Sequence, residues 1–573
     1  MNPSSAQADV VVDELIRNGV RHVVLCAGGY TIPLAIALYK AHKEGRVQLH
    51  VRIDERSAGF LAVGLGRSGE GPVVLLCTPG TAVANFYPAV LEAHHSALGL
   101  ILLTVDLLPQ YRGTGASQSI DQQAVFGAAA TTMEFPVAEP RAGQNAIWRG
   151  LVCRAAAQAA TGRSVQINIS FRELLPTADE SWSAELEGRP DGRPWTTWTP
   201  PTRPAGGFGE AVPARTLMVI GSGDPARARA AAEVAAQAGW PVIAEPIAAP
   251  DALRAGATVL RGGMMLAVGG ELSTSPRTFP PHLRPDAIVV VGRTTLARDV
   301  PDGLTGATVY RVDDQAHWTD PYHNATHSGT WLDPADPGQY AAPDPAWLAG
   351  WQRFDDAVAA TLDKHIDEAG WPAGLYVARK LVAALPKDAN LFLGASNSVR
   401  DVGRFAAARA DLAVHANRGV SGIDGNISTA AGLALGRSGR GRPNYALMGD
   451  LTFLHDVNGL LLGPDEPRPD LTIVVVNNRG GGVYSLLVRH ESPEDAAGIE
   501  RIFGTPHSVD VAGLCASHDV AYQRISDLDD LDLALAPAGG IRVVEVETAD
   551  RSRLLDIHRR IHTSINDLLS IAD

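Results

Sequence analysis

Cysteine is scarce in this sequence, and its spacing suits neither a metal site nor a disulfide framework. The chain has four cysteines in 573 residues, and no two of them form a Cys-x-x-Cys pair. Isolated cysteines of this kind are typical of small buried apolar side chains in a reducing compartment. The sequence therefore argues against a zinc-binding protein and against a disulfide-stapled secreted fold.

A net positive charge and long uncharged apolar runs are also missing. The formal net charge is −14 at pH 7 and no basic cluster offsets it, which argues against a nucleic-acid partner. No uncharged apolar stretch reaches the length of a membrane span. The N-terminus has an amphipathic helical pattern without the basic start of a secretory signal. We expect a cytoplasmic protein with no membrane partner.

The chain does contain a regular alternation of strand-like and helix-like segments. Its length is too great for one core, and with 45% hydrophobic and 20% charged residues it is globular. The alternation predicts an α/β fold of three doubly wound parallel-sheet domains. The predicted strands are 22–26, 49–52, 73–77, 100–105 and 165–169, then 217–221, 241–244, 287–292 and 309–312, and finally 391–393, 414–416, 445–448, 471–476 and 542–547.

Two segments rich in proline, glycine and other breakers divide the chain. We predict linkers at 186–210 and 336–347. The predicted domains are therefore 1–185, 211–335 and 348–573.

Polar residues follow two neighbouring strands of the last domain. The first of these strands is followed by Gly449-Asp450. The second is followed by Asn478, which lies 28 residues after Asp450, and then by Gly480. This interval accommodates a crossover helix, so a carboxylate, a carboxamide and a glycine carbonyl would meet at one sheet edge. Such oxygens are ligands for Mg²⁺. The pattern resembles the diphosphate-anchoring motif of thiamine diphosphate enzymes; the alternative is an ordinary βαβ unit with turn-forming residues.

Other strand ends carry charged side chains. Glu55 follows a strand of the first domain, whereas Arg400 and Arg418 follow strands of the last domain. Ligands of open α/β sheets bind beyond the carboxyl ends of the strands. Arginines in that position are either solvated or serve as clamps for a carboxylate, whose geometry the guanidinium matches.

Over nearly its full length the chain resembles the menaquinone-pathway SEPHCHC synthases (2-succinyl-5-enolpyruvyl-6-hydroxy-3-cyclohexene-1-carboxylate synthases). These thiamine diphosphate enzymes decarboxylate 2-oxoglutarate and add the resulting four-carbon unit to isochorismate. Besides the motif from Gly449 to Gly480, the segments that carry the resemblance are VRIDERSAGF, GTAVAN, GTGASQSIDQ, LGASNSVRDV, NRGVSGIDG and RIFGTPHSVDV.

This resemblance implies the organisation of the protein and its cofactors. The domains would be a pyrimidine-binding domain at 1–185, a central domain at 211–335 and a diphosphate-binding domain at 348–573. The cofactors would be thiamine diphosphate and Mg²⁺ or Mn²⁺. A homodimer or homotetramer is implied, with each active site between two subunits.

The resemblance also implies roles for individual residues. Glu55 would hydrogen-bond the aminopyrimidine ring and move its proton, with Gln118 beside the reacting centre. The cofactor would contact Glu55, Thr78, Gly80, Ser396, Ile423, Gly449, Asp450, Leu451, Asn478 and Tyr484. The metal ion would be held by Asp450, Asn478 and the carbonyl of Gly480. The substrates would contact Tyr30, Leu107, Ser117, Arg298, Ser396, Arg400, Arg418, Val483 and Leu487.

Departures from the family pattern are concentrated at positions associated with the isochorismate carboxylates. Losing one charge-assisted partner in a dry site costs about 2–5 kcal/mol. The replacements are Gly29 for a serine, Tyr30 and Leu107 for arginines, Ser117 for an asparagine and Ala297 for a basic residue.

These replacements favour a divergent paralogue that keeps the 2-oxoglutarate donor but uses an acceptor other than isochorismate. The first alternative is a genuine SEPHCHC synthase whose acceptor pocket is rebuilt around Arg112 or Arg298. A second is a non-catalytic relative that binds the cofactor, which the retained Glu55 disfavours. A third is a pyruvate-using enzyme, which Arg400 and Arg418 disfavour because pyruvate has no distal carboxylate.

Overall fold

The computed structural model describes residues 2–139, 141–176, 185–199, 207–267, 279–297, 306–313, 319–487, 497–537, 539–548 and 551–571. Within these ranges the chain forms three sheets of six strands each, and every pair of neighbouring strands within them is parallel. The predicted α/β fold with three doubly wound sheets is confirmed.

The first sheet has the strand order β2-β1-β3-β4-β6-β5. Its strands are β1 (His22–Cys26), β2 (Gln48–Val51), β3 (Val73–Cys77), β4 (Leu100–Asp106), β5 (Ala130–Glu134) and β6 (Ser164–Ser170). The helices around it are α1 (Pro3–Arg17), α2 (Ile32–Lys43), α3 (Glu55–Arg67), α4 (Thr81–Asn85), α5 (Tyr87–His95) and α6 (Gln144–Ala159).

The second sheet has the order β12-β11-β10-β7-β8-β9. Its strands are β7 (Thr216–Ile220), β8 (Pro241–Ala244), β9 (Thr258–Val259), β10 (Ala287–Val291), β11 (Thr308–Val312) and β12 (His327–Gly329). The helices of this region are α7 (Pro225–Ala238), α8 (Ala249–Arg254) and α9 (Gly263–Leu266).

The third sheet has the order β14-β13-β15-β16-β18-β17, the same sequence of positions as in the first sheet. Its strands are β13 (Asn390–Leu393), β14 (Ala413–Ala416), β15 (Asn444–Gly449), β16 (Leu471–Asn477), β17 (Ala521–Ile525) and β18 (Ile541–Glu547). Its helices are α10 (Pro345–Ala369), α11 (Gly374–Ala384), α12 (Asn397–Phe405), α13 (Asn426–Leu435), α14 (Asp450–His455), α15 (Tyr484–Leu487), α16 (Val511–Ser517), α17 (Asp529–Ala534) and α18 (Ser552–Ile571).

The inner strands are the core of each sheet. β4 is buried along its whole length, as expected for a parallel strand covered by helices on both faces. The cysteines behave as predicted, because all four are buried and free.

Helices α3 and α13 pack closely and connect the first sheet with the third. A Cβ at Gly64 would clash with the carbonyl of Thr429, and a Cβ at Gly432 would clash with the carbonyl of Leu61. Only glycine allows the two backbones to approach this closely. Because each helix begins at the carboxyl edge of its sheet, this contact brings the two edges into a fixed relation.

The segment 185–199 lies over the first sheet without regular secondary structure. Arg17 and Arg149 donate hydrogen bonds to the carbonyls of Arg189 and Leu186 at 2.8 and 2.7 Å. The predicted domain boundaries at the two linkers remain predictions. In the part of the chain that the structure describes, no helix is long and apolar enough to cross a membrane.

Candidate active site

Asp450 lies at the carboxyl edge of the third sheet, where β15 ends and α14 begins. Its carboxylate is buried and accepts hydrogen bonds from the backbone N–H groups of Leu451 and Gly480, at 2.9 and 2.7 Å. Burial raises the pKa of this carboxyl, while the hydrogen bonds, including one from His507, act in the opposite direction. A buried carboxylate at a strand end is well suited to a cation.

Asn478 follows β16, the strand that pairs with β15. Among the described residues its Oδ1 atom is a buried acceptor without a hydrogen-bond partner. Such an atom normally has a partner, so its presence beside Asp450 fits a bound metal ion. The Gly480 carbonyl accepts a 3.1 Å hydrogen bond from the backbone N–H of Gly482. The structure thus brings the three predicted metal-binding residues together.

The backbone at Gly480 depends on glycine. Its φ is 151°, and a Cβ there would clash with the guanidinium of Arg551 and the carbonyl of Gly504. Arg551 donates a 2.8 Å hydrogen bond to the carbonyl of Arg479 and pairs with Glu500, which fixes this turn.

His507 is a site residue that the sequence reasoning missed. Its Nε2 atom lies 2.9 Å from Oδ2 of Asp450. The residue belongs to the segment RIFGTPHSVDV, which carried part of the family resemblance. That match was the available signal, but it gave no reason to single out the histidine.

Ser396 and Arg400 lie at the start of α12, after β13. Ser396 has a φ of 73°, a strained conformation for a residue other than glycine, and such strain occurs preferentially at functional sites. Arg400 donates a 2.8 Å hydrogen bond to the Ser396 carbonyl, so the predicted donor-side pair is brought together. A cavity of about 110 Å³ beside this helix is lined by Asn478, Gly449 and the buried Asp401, among others.

Arg418 and Ile423 lie between β14 and α13. Arg418 is only 5% exposed, and its Nε donates a 2.9 Å hydrogen bond to Oγ1 of Thr295 in the central region. Ile423 is half-buried in the turn before α13. Both predicted residues therefore lie at the edge of the third sheet, but the hydrogen-bond partner of Arg418 belongs to the region of the second sheet.

Glu55 is the first residue of α3 and is half-buried. Asp54 caps this helix by accepting from the backbone N–H of Arg56 at 2.8 Å. The start of the helix faces the segment that follows α14, because Asn458 donates to Asp54 at 2.7 Å and Ser57 to Asp456 at 3.1 Å. These contacts place the helix that carries Glu55 against the segment following Asp450 in the same chain.

Two thiols lie close to Glu55. Burial is the main cause that raises the pKa of Cys26 and of Cys77; the Glu55 carboxylate is the next cause for Cys26, whereas for Cys77 it follows the effect of Cys26. These thiols therefore stay neutral beside the start of α3.

The turn after β3 carries Thr78 and Gly80 against Gln118. Gly80 has a φ of 90° and Gln118 a φ of 65°, and the Gln118 side chain donates a 3.3 Å hydrogen bond to the carbonyl of Pro79. The Thr78 hydroxyl is buried and has no hydrogen-bond partner among the described residues. The structure brings these three predicted residues into one group.

The predicted acceptor-side positions differ in their surroundings. Leu107 is buried, and its carbonyl accepts a 2.9 Å hydrogen bond from Ser170. Tyr30 is partly buried against the apolar core of the first sheet, whereas Ser117 is exposed. Arg298 lies outside the described residues.

A guanidinium is nevertheless present beside Leu107. Arg112 pairs with the buried Asp106 at 2.9 Å and with Glu134 at 2.5 Å. It thus lies at the end of β4, a few residues beyond the position where the family pattern has an arginine.

The predicted apolar substrate contacts Val483 and Leu487, together with Tyr484, lie at and just before α15. Val483 is half-buried, and the ring of Tyr484 lies 5.6 Å from that of Phe503, measured between centroids. Leu487 ends this helix.

Comparison with known proteins identifies two matching domain models and a set of relatives. The N-terminal thiamine pyrophosphate-binding domain model matches residues 6–125, and the C-terminal one matches residues 394–546. Relatives named 2-succinyl-5-enolpyruvyl-6-hydroxy-3-cyclohexene-1-carboxylate synthase align along nearly the whole chain. They include proteins of Saccharopolyspora erythraea (45% identical, 99% of this chain and 100% of the relative), Thermobifida fusca (43%, 99% and 99%) and Rhodococcus erythropolis (40%, 99% and 100%).

The prediction of an acceptor other than isochorismate is wrong. Relatives that are 40–45% identical over their full length carry the name of the SEPHCHC synthase and support the first alternative instead. The error lay in requiring each cation at the family position. Arg112 places a guanidinium at the same strand end as Leu107, where it is paired with the carboxylates of Asp106 and Glu134.

Proposed function

The chain belongs to the SEPHCHC synthase family of thiamine diphosphate enzymes, and from that premise we propose that it decarboxylates 2-oxoglutarate and adds the four-carbon unit to isochorismate. The observation that carries the proposal is the buried Asp450 in contact with Gly480, beside Asn478, whose Oδ1 has no partner in the described part of the chain. The full-length similarity to named synthases supports isochorismate as the acceptor.

Mg²⁺ or Mn²⁺ would be held by Asp450, Asn478 and the Gly480 carbonyl. One carboxylate and two neutral oxygens suit a hard cation that also binds phosphate oxygens. When bound, thiamine diphosphate supplies the electron sink that allows a 2-oxo acid to lose CO₂. In this proposal the third sheet binds and orients the diphosphate end of the cofactor.

Glu55 would hold and move a proton at the pyrimidine ring. A general acid–base group needs a defined position and a neighbourhood that does not compete for the proton. Asp54 fixes the helix start and so gives Glu55 a defined position, and the neighbouring thiols of Cys26 and Cys77 stay neutral.

The donor would be recognised by Ser396, Arg400 and Arg418. The two arginines can each bind one carboxylate of 2-oxoglutarate through charge-assisted hydrogen bonds. Ser396 and Arg400 share one helix start, so they would orient the donor as a unit.

The acceptor would lie at the first sheet's edge, near Tyr30, Leu107, Ser117 and Gln118. Gln118 is the polar side chain held against the turn after β3, and we propose that it contacts the reacting centre. Val483 and Tyr484 would form an apolar side of this space that excludes water from the reaction.

We also propose a homo-oligomer with active sites between subunits. Large apolar side chains are exposed around the site, including Ile53 (77%), Val420 (48%) and Tyr484 (39%), and a second subunit would cover them. A cytoplasmic location and the three domain boundaries also belong to this proposal.

The test is to incubate the purified chain with 2-oxoglutarate, thiamine diphosphate, Mg²⁺ and isochorismate, and to follow both substrates and the product by mass spectrometry. We expect one isochorismate consumed for each CO₂ released. Reactions lacking the acceptor, or with pyruvate as donor, are the controls. Release of CO₂ from 2-oxoglutarate while isochorismate remains intact would contradict the proposal.

A further inference from the structure

The guanidinium of Arg418 is fixed by the second sheet. Thr295 follows β10, and it accepts from Arg418 twice, with its hydroxyl oxygen at 2.9 Å from Nε and its carbonyl at 3.4 Å from a terminal nitrogen. Both partners on Thr295 are acceptors, so they orient the planar guanidinium as well as holding it.

Glu245, at the end of β8, fixes Thr295 in turn. This carboxylate is fully buried and accepts from the Thr295 hydroxyl at 2.9 Å. It also accepts from the backbone N–H groups of Thr295, Leu296 and Ala297 at 2.6, 2.6 and 3.1 Å. Because the hydroxyl proton of Thr295 is directed to Glu245, a lone pair of the same oxygen is left for Arg418.

The backbone on either side of Arg418 is held as well. Glu92 of α5 is buried and accepts from the N–H groups of Gly419 and Val420 at 2.9 and 2.8 Å. Arg293 donates to the Gly419 carbonyl at 3.0 Å. All three sheets therefore contribute to the position of one arginine.

Among the described residues, the usual ligand position at the edge of the second sheet is closed. In open α/β sheets ligands enter the crevice where the strand order reverses, which here lies between β7 and β10. Ser222 and Arg293 close this crevice with two backbone hydrogen bonds of 2.8 Å. The residues that follow β10 are thus held rigidly and directed towards Arg418.

We propose that Thr295, oriented by Glu245, is a positioning residue that sets the guanidinium of Arg418 for a carboxylate of the donor. The inference rests on the proposed role of Arg418 in binding 2-oxoglutarate. It gives the central region a part in donor recognition without contact between that region and the substrate.

The test compares Thr295→Val, which removes the hydroxyl at nearly constant volume, with Thr295→Ser, which keeps it. Loss of a hydrogen bond to a charged group corresponds to about a tenfold effect. We expect Thr295→Val to raise the KM for 2-oxoglutarate about tenfold, with kcat within about twofold of the wild type. Thr295→Ser should behave as the wild type.

Two further measurements separate positioning from general damage. The KM for isochorismate and the calorimetric affinity for thiamine diphosphate should be unchanged in Thr295→Val, because neither depends on Arg418. Glu245→Gln should raise the KM for 2-oxoglutarate in the same direction.

An unchanged KM for 2-oxoglutarate in Thr295→Val, or equal losses for both substrates, would overturn the inference. The same holds if Thr295→Ser is as impaired as Thr295→Val. A wild-type protein that does not consume the two substrates would instead overturn the proposed function, so the two failures are distinguishable.

Discussion

The first and third sheets have the same strand order but carry different chemistry at their carboxyl edges. Strands β3 and β15 occupy the same position in the two sheets. In the first sheet β3 is followed by the small-residue turn ending at Gly80, whereas in the third sheet β15 is followed by Asp450. After the fourth strand, the first sheet has the buried Leu107, whereas the third has Asn478, whose carboxamide oxygen has no hydrogen-bond partner among the described residues.

This difference shows how one topology can serve two ends of a bound molecule. The third sheet offers hard oxygens and helix starts, which suit a cation and phosphates. The first sheet offers tight turns and the carboxylate of Glu55, which suit a ring approaching closely and a proton transfer. Variants at matched strand ends can break or sharpen this comparison.

The largest effect is expected for Glu55→Gln. Glutamine keeps the shape but cannot exchange a proton, so kcat should fall about 10³-fold, within the usual range for a general acid–base group. Binding of thiamine diphosphate, measured by calorimetry, should stay within a few-fold of wild type. Glu44→Gln, at an exposed site after α2, is the matched control. Normal turnover by Glu55→Gln would show that the edge of the first sheet does not supply the proton transfer proposed for it.

Asp450→Asn probes the corresponding group of the third sheet. It removes the single carboxylate of the proposed metal site, so the affinity for thiamine diphosphate with Mg²⁺ should fall about 100-fold, or about 2.7 kcal/mol. Calorimetric titration with and without Mg²⁺ measures this loss. The exposed Asp465→Asn should bind normally. If Asp450→Asn kept full affinity, the proposed role of this edge in cofactor binding would be wrong.

Arg112→Met tests whether the buried Asp106, at the end of β4, depends on the charge of Arg112. The change leaves Asp106 buried without its cation, which should lower the free energy of unfolding by about 3 kcal/mol. Urea titration followed by circular dichroism measures it, with the exposed Arg141→Met as control. An unchanged midpoint would mean that Asn168 and the backbone suffice to satisfy Asp106.

Sequence patterns predicted every inner strand but missed four of the six edge strands. The four strands that were not predicted, β5, β9, β12 and β17, all lie at the edge of a sheet. Inner strands are buried on both faces and form continuous apolar runs, whereas an edge strand such as Ala521–Ile525 has only one buried residue and lacks that pattern.

The candidate site was predictable where it follows a strand and unpredictable where it depends on packing. Asp450 and Asn478 could be paired from their spacing. His507, Thr295 and Glu245 could not, because their contacts join segments that are far apart in the chain. The acceptor was predicted wrongly because five replaced side chains were given more weight than the similarity along the rest of the chain, and single replaced side chains do not determine which carboxylate a pocket binds.

The smallest effect concerns Asp401 on α12, beside the donor-side Arg400. Burial raises the pKa of this carboxyl to about 7, although Arg404 and Arg400 oppose the shift. The folded protein therefore holds the proton more tightly than the unfolded chain, so this contribution to stability is full below about pH 4 and is lost as the pH rises through about 7. In Asp401→Asn the free energy of unfolding should fall less between pH 5 and pH 8 than it does in the wild type, with a difference on the order of 2 kcal/mol.

Urea titrations at both pH values, with Asp465→Asn as control, measure the difference. Equal pH dependence in wild type and Asp401→Asn would show that Arg400 and Arg404 keep the carboxyl ionised, and the third sheet's edge would then be more strongly charged than the comparison with the first sheet assumes.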